Sequence, residues 1–281
     1  MIKIGITVRN RLGMTKKTIE ALKKHSTVPH QLYIFDNMTN YKLENHFALY
    51  YGLLNDGHIH QITFNTKEST FDAFSKAVAL NQFGRLHEED PKKDECNFLL
   101  FIDNDIIVTP DWDQILLKAW KQINKLSKQH PELKNVKVIG QAPGGIKHGA
   151  KLDFQVAGYD AIFGQFGGSA FWSVRPNFYN DVGFLDLKQL VGLSKQHDQK
   201  YWRKLSESVK GGKYILGLKH KLCIHCGSLA GSICNTIGRG TVDKKKLEQI
   251  KFREQDKAIN NMTFDEFYNK IINNKKMINN W

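Results

Sequence analysis

Two carboxylates follow a strongly apolar run near the middle of the chain, and their spacing could hold a metal ion. The run 98–102 leads into Asp103, and Asp105 follows after one residue, directly before a second apolar run at 106–108. Acidic groups between two apolar runs are costly to bury without a compensating charge. Mg²⁺ and Mn²⁺ take oxygen ligands and often bridge protein carboxylates to substrate phosphates. Such a pair taken alone is more often a solvated strand end. The elements around the pair therefore decide between a strand end of that kind and a metal site.

Strands alternate with helices through the first half of the chain. Apolar patterning predicts strands over 2–8, 32–35, 59–64, 98–102 and 136–141. The same patterning predicts helices over 15–25, 43–54, 70–83 and 111–127, with a charged surface loop over 86–95. This alternation is typical of an α/β fold with a mostly parallel central sheet, right-handed crossovers and flanking helices.

Polar residues follow each of the first four predicted strands. Ligands of open α/β sheets bind outside the carboxyl ends of the strands, so these side chains could converge on one ligand. Asp36 could accept hydrogen bonds from a ribose or a base, and Arg9 or Arg11 could pair with phosphate. Each residue alone is ordinary turn chemistry, but several at one edge indicate a shared ligand. The candidate ligand-binding residues at this edge are Thr7, Arg9, Arg11, Asp36, Asn65, Asp103 and Asn104.

The order of these segments resembles the nucleotide-sugar half of the GT-A glycosyltransferases, especially those like family 2. The resemblance is carried by Asn10-Arg11 after strand one, Asp36-Asn37 after strand two, Asn65 before a helix rich in small residues, and the motif FLLFIDND. It covers roughly residues 1 to 230 by motif order. It implies a Rossmann-like GT-A catalytic domain over 1–235, with a nucleotide-sugar half (1–110) and an acceptor half (111–235), followed by a helical extension (236–281).

The same resemblance implies site residues in the second half. The stretch 166–175 resembles the family's glycine-rich strand, in which the backbone approaches the donor sugar, and Gly168, Ser169 and Trp172 are its candidate contacts. Asp198 resembles the general base that deprotonates the acceptor hydroxyl in inverting members. His197 is a second candidate for that role. Arg203, five residues after Asp198, would lie beside the acceptor, although Asp198 could also merely cap a helix.

A third metal contact is implied near the end of the resemblance. His225 precedes Cys226-Gly227, as in the family's His-x-Gly segment, and would complete a metal site with Asp105, while Asp103 acts directly or through water or ribose. Imidazole with carboxylate suits Mn²⁺ modestly over Mg²⁺. A structural zinc site is the alternative. Its ligands would be Cys223, Cys226, Cys234 and His220.

The implied function is metal-dependent transfer of a sugar from a nucleoside-diphosphate sugar to a hydroxyl of a carbohydrate or glycoconjugate acceptor, with inversion. Two alternatives stay open. A sugar nucleotidyltransferase shares the broad architecture, but the segment after strand one lacks the glycines of the expected Gly-rich Arg loop. A non-catalytic protein that binds polyanions or nucleic acid would explain the charge but not the carboxylates at a strand end.

Composition limits the possible partners and compartment. The 281 residues carry 41 Lys and Arg against 28 Asp and Glu, a net charge of +13 that favours anionic partners. No basic helix is interleaved with aromatic residues, so the charge does not specifically indicate nucleic acid. The four cysteines do not form a disulfide framework, and no apolar run is long enough to span a bilayer, so we expect a cytoplasmic protein.

The last segment is strongly charged and reads as two helices, over 243–253 and 263–274. Thr263 and Glu266 have the spacing of a capping box. The second helix is amphipathic, and we expect it to pack on the catalytic domain. Contact with a membrane surface is the alternative.

Overall fold

A computed structural model of the chain describes residues 1–8, 11–37, 43–64, 72–142, 150–164, 170–186, 214–226 and 254–274. The helix predicted over 243–253 lies outside these residues. The strands within them are β1 Ile2–Val8, β2 His30–Asp36, β3 Gln61–Phe64, β4 Leu99–Asp103, β5 Ile106–Val108, β6 Val138–Gln141, β7 Ala150–Lys151, β8 Ala161–Gly164, β9 Phe171–Val174, β10 Ile215–Leu218 and β11 Cys223–His225. The helices are α1 Leu12–His25, α2 Leu43–Asn55, α3 Asp72–Glu89, α4 Trp112–Leu126, α5 Phe178–Val182, α6 (254–261) and α7 Phe264–Ile272.

Nine of these strands form one sheet in the order β3-β2-β1-β4-β9-β6-β10-β8-β7. Strands β1 to β4 are parallel, β9 and β8 run the opposite way, and the remaining strands run with β1. The predicted α/β fold with a mostly parallel central sheet is therefore confirmed. Strands β5 and β11 form a separate antiparallel ribbon.

Both faces of the sheet are buried, and the side chains of its strands alternate between two apolar layers. Ile34 of β2 and Leu100 of β4 belong to the layer that also contains residues of α1 and α4. Phe35 and Phe101, one position further along each strand, belong to the layer that contains Phe83 of α3. This period of two explains why the central strands read as continuous apolar runs.

Helix α3 is longer than the sequence pattern predicts. It continues to Glu89, so the prediction of a surface loop is wrong for residues 86–89. His87 is 1% exposed, and its Nε2 donates to the carbonyl oxygen of Pro176 at 2.9 Å. Its Nδ1 lies 3.3 Å from the ammonium of Lys3 in β1. The last turn of this helix thus contacts residues that are distant in the sequence, which local patterning does not reveal.

The last described helices pack on α1. Thr263 and Glu266 form the predicted capping box at the start of α7, and Phe267 and Ile271 of that helix are fully buried. The Lys17 ammonium of α1 donates to the carbonyl oxygen of Met262 at 2.6 Å. The predicted packing of this helix on the rest of the protein is confirmed.

None of the described helices combines the length and the apolar character needed to cross a bilayer.

We expect His87 to make stability decrease at mildly acidic pH. Burial, and then the neighbouring Lys3 charge, lower the pKa of His87. As the pH falls below about 6.5, the unfolded chain binds a proton that the folded protein excludes, so stability is lost until the pH reaches the lowered folded pKa. Urea unfolding from pH 8 to 5 should show that the wild type loses more free energy of unfolding than His87→Gln. Parallel pH profiles for the two proteins would contradict this expectation.

Candidate functional site

Asp103 lies at the carboxyl end of β4, where side chains of two neighbouring elements contact it. Thr7 lies opposite Asp103 in the parallel β1–β4 pair, and its hydroxyl donates to Asp103 Oδ1 at 3.0 Å. The ammonium of Lys76 in α3 lies 2.5 Å from the same oxygen. The Asp103 side chain is still 26% exposed, so it remains accessible to a ligand.

Asp105 is much more deeply buried, at 4% exposure. Arg11 Nη1 donates to Asp105 Oδ2 at 2.8 Å, and His225 Nε2 lies 3.4 Å from that oxygen. The other carboxylate oxygen, Oδ1, has no hydrogen-bond partner within the described part of the chain. A single buried carboxylate therefore brings together a strand end, the residue before α1 and the ribbon strand β11.

The electrostatics favour an ionised Asp105. Burial would raise the pKa of Asp105, but the Arg11 charge and the His225 hydrogen bond outweigh it and hold the pKa well below the usual value. For His225, burial would lower the pKa, whereas the hydrogen bond and charge of Asp105 raise it above the usual value. The carboxylate and the imidazole thus stabilise each other's charged forms.

The β5–β11 ribbon explains how two residues far apart in sequence meet. Ile106 pairs with His225 in the antiparallel register, and the backbone N–H of Cys226 donates to the carbonyl oxygen of Asp105 at 2.8 Å. The second apolar run of the sequence, directly after Asp105, is the strand that makes this pairing. The ribbon therefore places the His225 side chain against the carboxylate.

Arg11 and Asn104 attach the site to helix α1. Arg11 adopts a left-handed conformation, with φ 59°, at the position before the helix, and its Nη2 donates to Asn104 Oδ1 at 3.2 Å. The Asn104 amide donates in turn to Thr15 Oγ1 at 3.0 Å. Asn104 is 2% exposed, so it holds α1 against the strand end and presents little surface to a ligand.

The amino end of α1 is capped by a residue from the far end of the chain. The carboxylate of Asp256 in α6 accepts hydrogen bonds from the backbone N–H groups of Gly13 and Met14, each at 3.0 Å. The approach is so close that a Cβ at Gly13 would lie 2.2 Å from the Asp256 carbonyl oxygen. Asp256 thus fixes the helix that begins beside Arg11.

Asp36 and Trp172, both predicted to contact the donor, are buried. Asp36 has no exposed surface and accepts a hydrogen bond from the Tyr50 hydroxyl at 2.7 Å, so a base or ribose would reach it only if its surroundings moved. Trp172 is 3% exposed and stacks on Phe101 with ring centroids 4.4 Å apart. The structure therefore places Trp172 in the core and not beside the carboxylates.

Seven further predicted site residues lie outside the described part of the chain. They are Arg9, Asn65, Gly168, Ser169, His197, Asp198 and Arg203.

Sequence reasoning missed Lys76, Tyr50 and Asp256. Lys76 interrupts a run of small and apolar residues in α3, and a lone cation in such a helix was a usable signal. Tyr50 had no distinguishing signal, because it lies in a helix rich in apolar residues. Asp256 had none either, because its partners are backbone groups of residues 13 and 14.

Asp105 and His225 suit a divalent cation, but only as part of a larger set of ligands. Within the described ranges, no three His, Cys, Asp or Glu side chains are grouped to hold a metal ion. The buried and unpaired Oδ1 of Asp105 nevertheless fits a cation ligand. Mg²⁺ is commonly bound by one or two carboxylates plus substrate phosphates and water. Such a cation would therefore need further oxygen ligands besides Asp105 and His225.

The zinc alternative finds no support in the described residues. Cys223 and Cys226 are both buried thiols, and burial raises the pKa of each far above its usual value. Cys223, Cys226 and His220 do not form a group that could hold a metal ion within the described ranges. Cys234, the further cysteine of that proposal, lies outside the described residues.

Comparison with known proteins finds similarity in structure but not in sequence. No protein-family model matches the chain, and no curated protein matches it. A mannosyltransferase of Pyrobaculum calidifontis, in complex with GDP-Man and Mn²⁺, aligns over 92% of this chain and 73% of its own at 11% identity, with a TM-score of 0.51. GalNAc-T7, with UDP, GalNAc and Mn²⁺, aligns over 79% of this chain and 44% of its own at 11% identity, with a TM-score of 0.52. S. aureus TarS 1–349 aligns over 90% and 71% at 12% identity, with a TM-score of 0.49.

At such low identity, the likeness to the mannosyltransferase and GalNAc-T7 defines a fold. The chain has the GT-A fold of the glycosyltransferases. The fold implied by the sequence resemblance is confirmed, and the carboxyl ends of β1 and β4 lie where that fold class places its ligands.

We expect Asp256→Ala to destabilise the protein by about 2 kcal/mol, because two buried N–H groups lose their acceptor. Asp256→Asn retains one acceptor oxygen and should lose less. Asp265→Ala is the matched control. Like Asp256, Asp265 contacts α1, but it is an exposed carboxylate of α7 that pairs with Lys24, and exposed pairs contribute little. Urea unfolding at pH 7 measures all three. Equal losses of unfolding free energy for Asp256→Ala and Asp265→Ala would show that the buried cap stabilises the protein no more than an exposed ion pair does.

Proposed function

We propose that this protein is a metal-dependent glycosyltransferase that transfers a sugar from a nucleoside-diphosphate sugar to an acceptor hydroxyl with inversion. The observation that carries the proposal is the buried Asp105 carboxylate, in contact with Arg11 and His225, at the carboxyl edge of a GT-A sheet. A buried acid of this kind is costly to the stability of a protein, and strongly shifted acids cluster at functional sites. Solved structures of the same fold contain nucleotide and Mn²⁺, which supports the same ligands here.

Asp105 and His225 are the residues that would hold Mn²⁺ or Mg²⁺ in this proposal, with Asp103 beside them. His225 would release its proton when the metal binds, because only the neutral imidazole is a metal ligand. When bound, the cation supplies Lewis-acid stabilisation of the negative charge on the leaving diphosphate. The role of these side chains would be to hold the cation where that negative charge develops. Arg11 and His225 keep Asp105 ionised, and Thr7 orients Asp103.

Binding of the diphosphate would rely on side-chain cations more than on a helix terminus. The amino end of a helix often binds phosphate through its free N–H groups, but the Gly13 and Met14 amides of α1 are occupied by Asp256. Arg11 and Lys76 both lie at the sheet edge. We therefore propose that these two side chains contact the donor phosphates once the nucleotide binds.

The acceptor side of the reaction is proposed from the sequence resemblance. Asp198 would take the proton from the acceptor hydroxyl as the bond to the anomeric carbon forms, with Arg203 and His197 beside it. A single displacement of this kind inverts the anomeric configuration. The donor sugar would lie along Gly168 and Ser169, where small residues permit a close approach of backbone and sugar.

Nucleotide binding is tested by thermal unfolding with UDP, GDP, CDP or dTDP, each with and without Mn²⁺. We expect one diphosphate to stabilise the protein in the presence of the metal, by about 2.7 kcal/mol at a hundredfold excess over Kd. A nucleoside triphosphate with a sugar 1-phosphate serves as the comparison. If only that pair stabilised the protein and gave pyrophosphate, the protein would be a nucleotidyltransferase.

We expect Asp105→Asn to abolish the metal-dependent part of this stabilisation, since the neutral amide is a much weaker metal ligand. Transfer should fall by about 100-fold or more, because the lost electrostatic stabilisation amounts to several kcal/mol. Asp111→Asn, an exposed carboxylate before α4, is the control and should leave both measurements unchanged. A full metal-dependent shift in folded Asp105→Asn would refute the metal role.

Asp198→Asn separates the base from the donor site. We expect unchanged stabilisation by the diphosphate and Mn²⁺, together with loss of most of the transfer, because only proton removal from the acceptor is affected. Isothermal titration and a radiolabelled sugar assay measure the two effects. Normal transfer would refute the base role without affecting the metal proposal.

A further inference from the structure

Helix α2 exposes an apolar surface that the rest of the described protein does not cover. From residue 47 to 54 it reads FALYYGLL, with no charged residue. Phe47, Tyr51 and Leu54 are 49%, 67% and 39% exposed, and their spacing places them on one side of the helix. We call these three residues the α2 apolar face. A surface helix normally presents charged residues to water, so such a face indicates an interaction site.

A groove with an apolar floor runs beside this face, between α1, α2 and α6. Its volume is about 850 Å³, and its lining includes Leu12, Ile19, Leu49 and Leu53. Gly52 borders it, and a Cβ at that position would meet nothing within 4 Å. The uncovered apolar surface of α2 therefore continues from the exposed face into a concave site.

Lysines surround the groove. Lys16, Lys23 and Lys257 line it, together with the acids Glu20, Asp56 and Asp256. Glu20 is paired with Lys17 at 2.8 Å, so its charge is compensated, whereas Asp256 bonds only to backbone N–H groups of α1 and remains a negative charge. Asp56 and Asp256 together then oppose three lysines, and the chain as a whole carries +13.

We propose that α2 and this groove dock on an anionic lipid bilayer, with the α2 apolar face inserted at the headgroup level. Aromatic and aliphatic side chains beside lysines are the composition of helices that lie in the membrane interface, and Tyr is suited to that boundary because its ring is apolar and its hydroxyl is polar. The lysines would lie near the lipid phosphates. A second copy of the chain is disfavoured as the partner, because it carries the same charge of +13.

The proposal is tested by sedimentation of the full chain with vesicles of phosphatidylcholine alone or with roughly 30% phosphatidylglycerol, since anionic lipid attracts basic segments. We expect binding to the anionic vesicles only, and weaker binding as salt is raised to about 0.5 M. Tyr51→Ser/Leu54→Ser should reduce partitioning by about tenfold or more, since it removes the inserted surface. Phe47 is left unchanged because its ring packs on Phe64.

The lysines have a matched control. Lys16→Gln/Lys23→Gln/Lys257→Gln lowers the net charge from +13 by three, and Lys121→Gln/Lys128→Gln/Lys134→Gln, at exposed positions on and after α4, lowers it equally. The groove variant should lose about tenfold or more in partitioning, and the control should lose far less. Equal losses would overturn the proposal, because they would show a general charge effect.

Two further results would also overturn the proposal. One is wild-type partitioning by folded Tyr51→Ser/Leu54→Ser, with folding verified by thermal unfolding. The other is a wild-type protein that does not bind vesicles and forms a dimer in analytical ultracentrifugation, where Tyr51→Ser/Leu54→Ser abolishes the dimer. That result would assign the α2 apolar face to contact with a second copy of the chain. These readouts do not involve sugar transfer, so they are independent of the proposed activity.

Discussion

The site depends on the charge of one buried carboxylate. An isolated ionised acid in a protein interior is destabilised by several kcal/mol unless neighbouring groups compensate it. Asp105 lies at 4% exposure, and Arg11 and His225 supply that compensation. Each of these partners is held by a different part of the fold. The need to compensate the Asp105 charge therefore connects the strand end, the start of α1 and the β5–β11 ribbon.

The position of Arg11, which compensates Asp105, depends in turn on helix α1. Arg11 reaches Asp105 from a left-handed backbone position, and the helix that follows has no side-chain cap of its own at that residue. The cap comes instead from Asp256 of α6. The last described helices therefore help to position Arg11, a candidate ligand-binding residue near the amino end of the chain.

Local pattern was sufficient for most of the first half of the fold. Strand β1 spans the residues predicted from alternation, and the run before Asp103 is β4 because side chains on both faces of that strand are buried. Pattern failed where distant contacts decided the outcome. Helix α3 continues through His87, which contacts Lys3 of β1 and the Pro176 carbonyl oxygen, and Trp172, which a motif assigned to the donor sugar, packs on Phe101 of β4.

The sequence by itself determined the α/β class, the acids after β4 and the net positive charge, because hydrophobic periodicity and residue type are local properties. The tertiary structure decided which groups neutralise which acids. Arg11 and Asp105 are 94 residues apart, and Gly13 and Asp256 are 243 apart. A hydrogen bond across such a distance leaves no periodic trace in the chain, since its partners are brought together only by the packing of the sheet, the ribbon and the helices.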